Sequence, residues 1–354
     1  MAPIRILVVG CGTMGSSHAR AYQRMPDFEI AGVVSRGPQT RGRLAAELGG
    51  AAQFDSFSTA LAETRPDAVS ISTYPDTHAP YALQALRAGC HVFVEKPLAE
   101  TVAQAQEVVD TARSLGRKVV VGYILRVHPA WQKFIELARG LGKPLVMRMN
   151  LNQQSSGAGW VGHQHLMESM SPIVDCGVHY VDVMCQMTGA QPVRVQAIGA
   201  RLAENLRPGM YNYGQLQIAF ADGSVGWYEA GWGPMMSETA YFVKDVIGPQ
   251  GCVSMLSPQE AGASADINQH TRTNQLRLHR AKLDGAGEFA LADAVLDMSE
   301  EPDHQELCDR EQAFFLRAIR SDMDLTDHLQ DAVNSLRIVL AADQSVRTGQ
   351  VVTL

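Results

Sequence analysis

His91-Val92-Phe93-Val94-Glu95-Lys96-Pro97 sets a short, unbroken apolar run directly before a carboxylate, a lysine and a proline. Such a run reads as a strand buried on both faces, as in a parallel sheet. Proline ends the ladder because it has no N–H to donate, and it biases its predecessor to extended geometry. Lys96 is thereby placed on the carboxyl edge of a central strand, where ligands bind in open α/β sheets. Taken alone, a lysine at a strand end is most often a plain surface residue. The sequence on either side changes that reading.

Upstream, Ile4-Arg5-Ile6-Leu7-Val8-Val9 runs straight into Gly10-Cys11-Gly12-Thr13-Met14-Gly15, and helical spacing continues through Ala19, Tyr22 and Met25. Strand, glycines and helix in this order form the context that GxGxxG requires. Gly10 permits a tight turn, Gly12 lets backbone approach a pyrophosphate, and Gly15 lets helix pack on strand. The helix start at Thr13 and Met14 offers N–H donors and a partial positive charge. A second strand, Glu29–Val34, ends in Ser35-Arg36, where an acidic side chain would grip the ribose 2′-hydroxyl of NAD. The serine hydroxyl and guanidinium favour a 2′-phosphate instead, and Arg41 and Arg43 add positive charge. NADP is therefore the preferred cofactor and NAD the alternative, since the same arginines also suit a solvated helix face.

Helices are expected over 39–48 and 56–63, a buried strand over Ala68–Ser72, and a helix from about Ala79 to Arg87, stopped at Gly89. After Lys96, Thr101 and Gln104 form a capping box opening a helix to Leu115, and Val119–Gly122 is a final strand. This alternation predicts a doubly wound parallel sheet, a Rossmann dinucleotide-binding domain over residues 1–123. Beyond Tyr123 the pattern changes. A helix at 130–139 precedes alternating runs at 145–151, 193–201, 211–220, 224–230 and 239–247, separated by turns such as Ala221-Asp222-Gly223-Ser224. Residues 257–303 read as irregular, and helices at 306–320 and 328–347 close the chain. The expectation is an α+β second domain over 124–354, built on a largely antiparallel open sheet, with closing helices free to pack back on the first domain.

Composition limits the function. With 354 residues, two domains are expected; 46% hydrophobic and 19% charged residues are globular values. A net charge of −7 without a basic stripe argues against nucleic acid or an anionic membrane as partner. No apolar run approaches the roughly 20 residues a membrane span needs, and the N-terminus has no signal-peptide pattern. Six scattered cysteines suit reduced thiols in the cytoplasm.

Asp175-Cys176-Gly177-Val178-His179-Tyr180-Val181-Asp182 is the second informative stretch. As a helix it puts Asp175 and His179 at i and i+4 on one face, with Asp182 three residues past the histidine. A carboxylate one turn from an imidazole fixes its tautomer and raises its basicity, which is how an oriented general base is made. Gly177, a poor helix former, points to a close approach by cofactor or backbone. The same pattern also fits a helix with its polar face in water.

Taken together, GxGxxG, Glu-Lys-Pro after a buried strand, and Asp-x-Gly-x-His-x-x-Asp in a β-rich second half resemble the glucose–fructose oxidoreductase / inositol dehydrogenase (Gfo/Idh/MocA) family. Ala88-Gly89-Cys90-His91-Val92, the stretch Val121-Gly122-Tyr123 to Arg126 with Pro129, Glu311 to Phe315, and Ser345-Val346-Arg347-Thr348-Gly349 extend the likeness nearly end to end. Three departures stand out. Tyr74-Pro75 replaces the usual Pro-Asn, Met170 and Ser171-Pro172 replace glycines before the Asp175 helix, and Ser35 replaces an acidic residue.

The resemblance implies hydride exchange between a nicotinamide and a secondary alcohol or ketone of a sugar, cyclitol or related polyol. It implies that Lys96 holds and polarises the reacting oxygen, that His179 moves the hydroxyl proton, and that Asp175 orients the histidine or binds a neighbouring hydroxyl. Thr73, His78, Glu95 and Lys96 then border the cofactor, and Glu95 with the Lys96-Pro97 bond sets the lysine's aim. Trp160, His163, His165 and Arg126 are weaker candidates for substrate contact. The first three lie in or just beyond a Gly-rich, loop-like stretch at 155–162. The His163-x-His165 pair has no third ligand at a recognisable spacing, so no metal is expected. The resemblance also implies a homodimer or homotetramer formed through the open sheet face. Two other readings stay open: an NAD-dependent glycosidase acting through transient oxidation at carbon 3, and a non-catalytic dinucleotide-binding sensor, against which Lys96, Asp175 and His179 weigh.

Overall fold

A computed structural model describes residues 2–237, 243–256 and 273–354. In chain order the elements begin with β1 (Ile4–Val9), α1 (Thr13–Arg24), β2 (Phe28–Val34), α2 (Pro38–Glu47), β3 (Gln53–Phe54), α3 (Phe57–Thr64), β4 (Ala68–Ile71), α4 (Pro75–Arg87), β5 (His91–Glu95), α5 (Val102–Ser114) and β6 (Val119–Gly122). After a 3₁₀ turn at Ile124–Val127 come α6 (Pro129–Arg139), β7 (Val146–Gln154), α7 (Gly157–Leu166), α8 (Pro172–Asp175), α9 (Gly177–Thr188), β8 (Pro192–Ala200), β9 (Tyr213–Phe220) and β10 (Val225–Gly233). The remainder is β11 (Lys244–Gly248), β12 (Gly251–Leu256), β13 (Gln275–Arg280), β14 (Ala294–Asp297), α10 (His304–Arg320), α11 (Thr326–Thr348) and β15 (Val352–Thr353). These form two compact units: residues up to 124 with 304–333, and residues 125–303 with 334–354.

In the first unit, six parallel strands follow the order β3-β2-β1-β4-β5-β6. The order reverses between β1 and β4, which opens a crevice at their carboxyl ends. Strands β4 and β6 are buried along their whole length, as apolar strands covered on both faces must be. Helix α5 carries the capping box, Thr101 and Gln104 each satisfying the other's backbone N–H. Helix α10 completes this core far from it in sequence. Its Phe315 and Ala318 are fully buried with Ile6, Val8, Tyr22 and Phe93.

In the second unit, nine strands form one sheet in the order β14-β13-β12-β11-β7-β10-β9-β8-β15, antiparallel except for the β7–β10 pair. Helices α6, α8 and α9 pack on it. Val146 pairs across the sheet with Ile247 and with Val225, and the three remain 39–42% exposed as a row.

Several elements differ from the expectation. Helix α4 starts at Pro75, four residues early, because proline at a first-turn position gives up only an N–H that has no helical partner. The stretch at 155–162 enters helix α7 despite its glycines, because Trp160 and Leu166 pack against the buried Met167, Leu206, Met210 and Trp232. Tertiary burial here outweighs poor propensity. Within 257–303, β13 and β14 are regular strands; Leu276 and Leu278 of β13 are buried between exposed polar neighbours. Residues 257–272, and the start of the run expected from Thr239, lie outside the described residues, and β11 is described from Lys244. The helix expected through Asp175–Asp182 is broken at Cys176 into α8 and α9.

Removing the Phe315 ring tests whether α10 belongs to the first unit's core. Phe315→Ala is expected to cost about 3–5 kcal/mol, read from urea unfolding followed by circular dichroism. A loss below about 1 kcal/mol would contradict the packing.

Candidate active site

The glycine loop after β1 is shaped by close approach. Gly10 has φ +103°, and a Cβ there would lie 2.1 Å from the Ser72 carbonyl oxygen, while one on Gly15 would lie 1.9 Å from Gly10 O. Gly12 differs, because nothing stands within 4 Å of its missing Cβ. The open space lies at the uncapped N-terminus of α1, whose first turn holds no acidic residue. The first-turn N–H groups of Thr13 and Met14, with a bare approach beside them, suit a pyrophosphate. At the end of β2, Arg41 Nη1 donates to Ser35 O at 2.5 Å, and its Nε is buried without a hydrogen-bond partner. Arg36 is exposed. Burial pushes the nearby Cys11 thiol up to about 11, against the pull of Arg41 and Ser35.

Two strands over from β1, β5 delivers Glu95 and Lys96 to the same edge of the sheet. Glu95 is 7% exposed. Its Oε1 lies 2.8 Å from His18 Nε2, and its Oε2 accepts from the Lys96 backbone N–H at 3.2 Å. Lys96 itself is half-buried, and the Lys96-Pro97 bond is cis. His78 is also buried, with Nδ1 2.7 Å from Pro97 O and Nε2 3.0 Å from Thr73 O. Burial lowers its affinity for a second proton, so the neutral ring donates to one carbonyl, and the shorter contact assigns that bond to Pro97. Thr73, its Oγ1 accepting from Thr77 Oγ1 at 2.7 Å, thus sits beside the turn that presents Lys96. Glu95 and His78 brace this edge from inside.

In the second unit, Ser171 Oγ caps α8 by accepting from Val174 N, and α9 restarts after Cys176 with His179 N donating to Cys176 O at 3.2 Å. Gly177 at the junction is forced by Tyr228, since a Cβ would come within 2.9 Å of its ring. The close neighbour inferred from this glycine is thus an aromatic side chain. Asp175, Cys176 and His179 are half-buried on an otherwise buried stretch, and so share the face that meets solvent. Tyr180 and Tyr228 stack beneath them at 4.9 Å.

Asp175 also acts on His163 electrostatically, although burial prevails and lowers the histidine's basicity. His163 stacks on Trp232 at 4.5 Å, and its Nδ1 lies 2.9 Å from Ser155 Oγ. Gln153, which no local pattern singled out, links these parts: its Oε1 accepts from Trp232 Nε1 at 2.7 Å and from the Cys176 thiol at 3.4 Å. Trp160 packs in the Met167–Trp232 cluster, and the His165 side chain is 60% exposed, 3.6 Å from Glu168. Arg126 forks onto Asp182 at 2.8 and 2.6 Å, and Gln186 donates to the same carboxylate. Burial raises the Asp182 carboxyl against the pull of Arg126. Asp182 therefore serves the fold and not the histidine three residues before it.

Two family models match the chain: an oxidoreductase family, NAD-binding Rossmann fold, over residues 4–123, and a GFO/IDH/MocA C-terminal domain over residues 136–248. The D-glucoside 3-dehydrogenase of Escherichia coli (strain K12) is 30% identical over 54% of this chain and 56% of its own length. The UDP-N-acetylglucosamine 3-dehydrogenase of Acidithiobacillus ferrooxidans is 32% identical over 56% of this chain and 59% of its own. The chain thus spans a little over half the length of these relatives. In fold, it is similar to scyllo-inositol dehydrogenase from Lactobacillus casei, solved with NAD(H) and scyllo-inositol, at a TM-score of 0.78 and 19% identity over 99% of both chains.

The Arg126–Asp182 pair gives a direct test of its structural role. Arg126→Met strands a buried carboxylate and is expected to cost about 3–5 kcal/mol in denaturant unfolding, while Arg126→Met with Asp182→Leu recovers most of the loss. Equal losses in single and double variants would reject the pairing.

Proposed function

Since the chain belongs to the Gfo/Idh/MocA family of oxidoreductases, we propose that it is a nicotinamide-dependent dehydrogenase or reductase of a secondary alcohol or ketone on a sugar, cyclitol or related polyol. One observation carries the reading: a half-buried lysine, its backbone braced by a buried carboxylate, stands on the carboxyl edge of β5, beside the crevice that the glycine loop opens.

A bound nicotinamide supplies the hydride acceptor, or the donor in the reverse direction. The chain's residues manage the oxygen and its proton. The Lys96 ammonium holds the reacting oxygen and opposes the alkoxide-like charge that grows as the C–H bond breaks. His179 takes the hydroxyl proton during oxidation and returns it during reduction. Asp175 orients that imidazole or binds a neighbouring hydroxyl, and His163, within reach of the same charge, lines the substrate. The two curated relatives are named for oxidation at position 3 of a glucoside and of a nucleotide sugar, which favours a pyranose with a free 3-hydroxyl. Ser35 and the Arg41 guanidinium held against it favour NADP over NAD. The exposed row of Ile247, Val146 and Val225 supports assembly of a homodimer or homotetramer through the open sheet face. Six free thiols suit the reducing cytoplasm.

Glucosides, nucleotide sugars and cyclitols, each offered with NAD and NADP, are expected to yield absorbance of the reduced nicotinamide with at least one. Silence across the panel would reject the reading, and sugar release without net cofactor reduction would turn it toward the glycosidase. Lys96→Ala is expected to lower turnover at least about 10³-fold while cofactor Kd stays within about threefold; turnover near the parental rate would remove the lysine from the mechanism. Arg41→Ala is expected to weaken NADP about tenfold or more, with NAD held within about twofold, as read by quenching of protein fluorescence. Equal weakening of both would deny a 2′-phosphate contact.

A further inference from the structure

Behind Lys96 lies a chain of hydrogen bonds that ends on a different helix. Gln312 of α10 is fully buried; its Oε1 accepts from the Tyr22 hydroxyl at 2.6 Å, and its Nε2 meets His18 Nδ1 at 2.8 Å. With the amide oxygen taken by Tyr22, the amide N–H donates to Nδ1. A neutral His18 then carries its proton on Nε2 and donates it to Glu95. Glu95 in turn receives the Lys96 N–H. Donors point one way along the whole chain, from Tyr22 to Glu95.

One residue before Gln312, Glu311 is 3% exposed, and neither of its carboxyl oxygens has a hydrogen-bond partner among the described residues. Its ligand atom lies within 4.8 Å of those of His18 and Cys308. Such a cluster can hold a metal ion, but both His18 nitrogens are engaged, which leaves no ring lone pair for a cation. A proton is the simpler occupant. Burial and the charge of Glu95 hold the Glu311 carboxyl well above the usual range. Two buried carboxyls that repel each other do not both ionise; Glu95, which accepts from His18 and from the Lys96 N–H, takes the charge, and Glu311, buried without a hydrogen-bond partner among the described residues, keeps the proton. The other titratable groups fit. Tyr22 of α1 and Cys308 of α10 are both pushed upward chiefly by burial, with the charge of Glu95 adding to it, and Arg24 with Asp309 pairs at the exposed rim. On the far side, His78 of α4 feels both Glu95 and Lys96.

We propose that α10 aims Lys96: Gln312 and His18 are positioning residues that clamp Glu95, and Glu311 is the neutral partner that leaves Glu95 as the single charge. The proposal rests on the role given to Lys96 above, and its test separates the two. Lysines of the whole protein are ¹³C-dimethylated, and the Lys96 signal is assigned by its loss in Lys96→Arg. In Gln312→Glu a carboxylate acceptor replaces the donor to His18, so the ring must reverse its tautomer or take a second proton. The Lys96 titration is expected to move by at least about half a pH unit. Turnover should fall about 10- to 100-fold, with KM and cofactor Kd within about threefold. Glu311→Gln, as neutral as the protonated carboxyl it replaces, should leave both readouts parental.

Thermal melts give a further check. The folded parent keeps a proton on Glu311 that the unfolded chain releases, so its stability falls as pH rises above the ordinary carboxyl range. Glu311→Gln should lack that slope. A folded Gln312→Glu variant with parental Lys96 titration and turnover overturns the proposal, as does a Glu311→Gln variant whose Lys96 titration departs from the parent's. If Gln312→Glu fails to fold, the Glu311→Gln titration and pH slope still decide. A parent that turns over no polyol overturns the functional reading alone, because the Lys96 titration decides the positioning without catalysis.

Discussion

Placing a carboxylate such as Glu95 where only 7% of it meets water costs several kcal/mol unless hydrogen bonds replace the lost hydration. His18 Nε2 at 2.8 Å and the Lys96 N–H at 3.2 Å supply them. Satisfying that one charge ties three elements together: α1 through His18, β5 through Glu95, and α10 through the Gln312 amide that orients His18. It also explains why a helix near the end of the chain belongs to the unit formed by its beginning. The apolar part of the same contact is the burial of Phe315 with Phe93 and Tyr22. Polar and apolar interactions thus hold the lysine's strand from one side.

The second unit meets a different demand. A long sheet with one face covered needs helices that lie flat on it, and the α8–α9 segment does so only because Gly177 makes room for Tyr228. The break at Cys176 follows, and it sets Asp175, Cys176 and His179 on the half-exposed side. Deeper in α9, the bidentate Arg126–Asp182 pair spends both charges on the fold. Residues of identical chemistry therefore divide by depth. A carboxylate near the surface keeps part of its hydration, and one at the base of the helix needs a permanent partner.

The parallel sheet was legible because its signals are local: an unbroken apolar strand, glycines before a helix, a capping box, a proline after Lys96. The largely antiparallel character of the second sheet was legible from alternation and turns, but not its strand order or strands β12 to β15; in β13, Gln275, Arg277 and Arg280 outnumber the buried Leu276 and Leu278. Helix α7 was hidden by its glycines, since its stability comes from the Trp232 cluster contributed by a distant strand. Among site residues, Gln153, His18 and Gln312 gave no signal, because each matters only through a partner dozens to hundreds of positions away.

From its sequence alone, this chain determined a dinucleotide-binding sheet, a lysine at the edge of that sheet, and a β-rich second unit. Periodicity and turn chemistry act over a few residues, and those features need no more. Tertiary structure alone decided that Asp182 would pair with Arg126, that Tyr228 would demand Gly177, and that Glu311 would lie buried beside the charge of Glu95. The cost of burying a charge or a ring depends on everything packed around it, and the chain brings those neighbours together only when it folds.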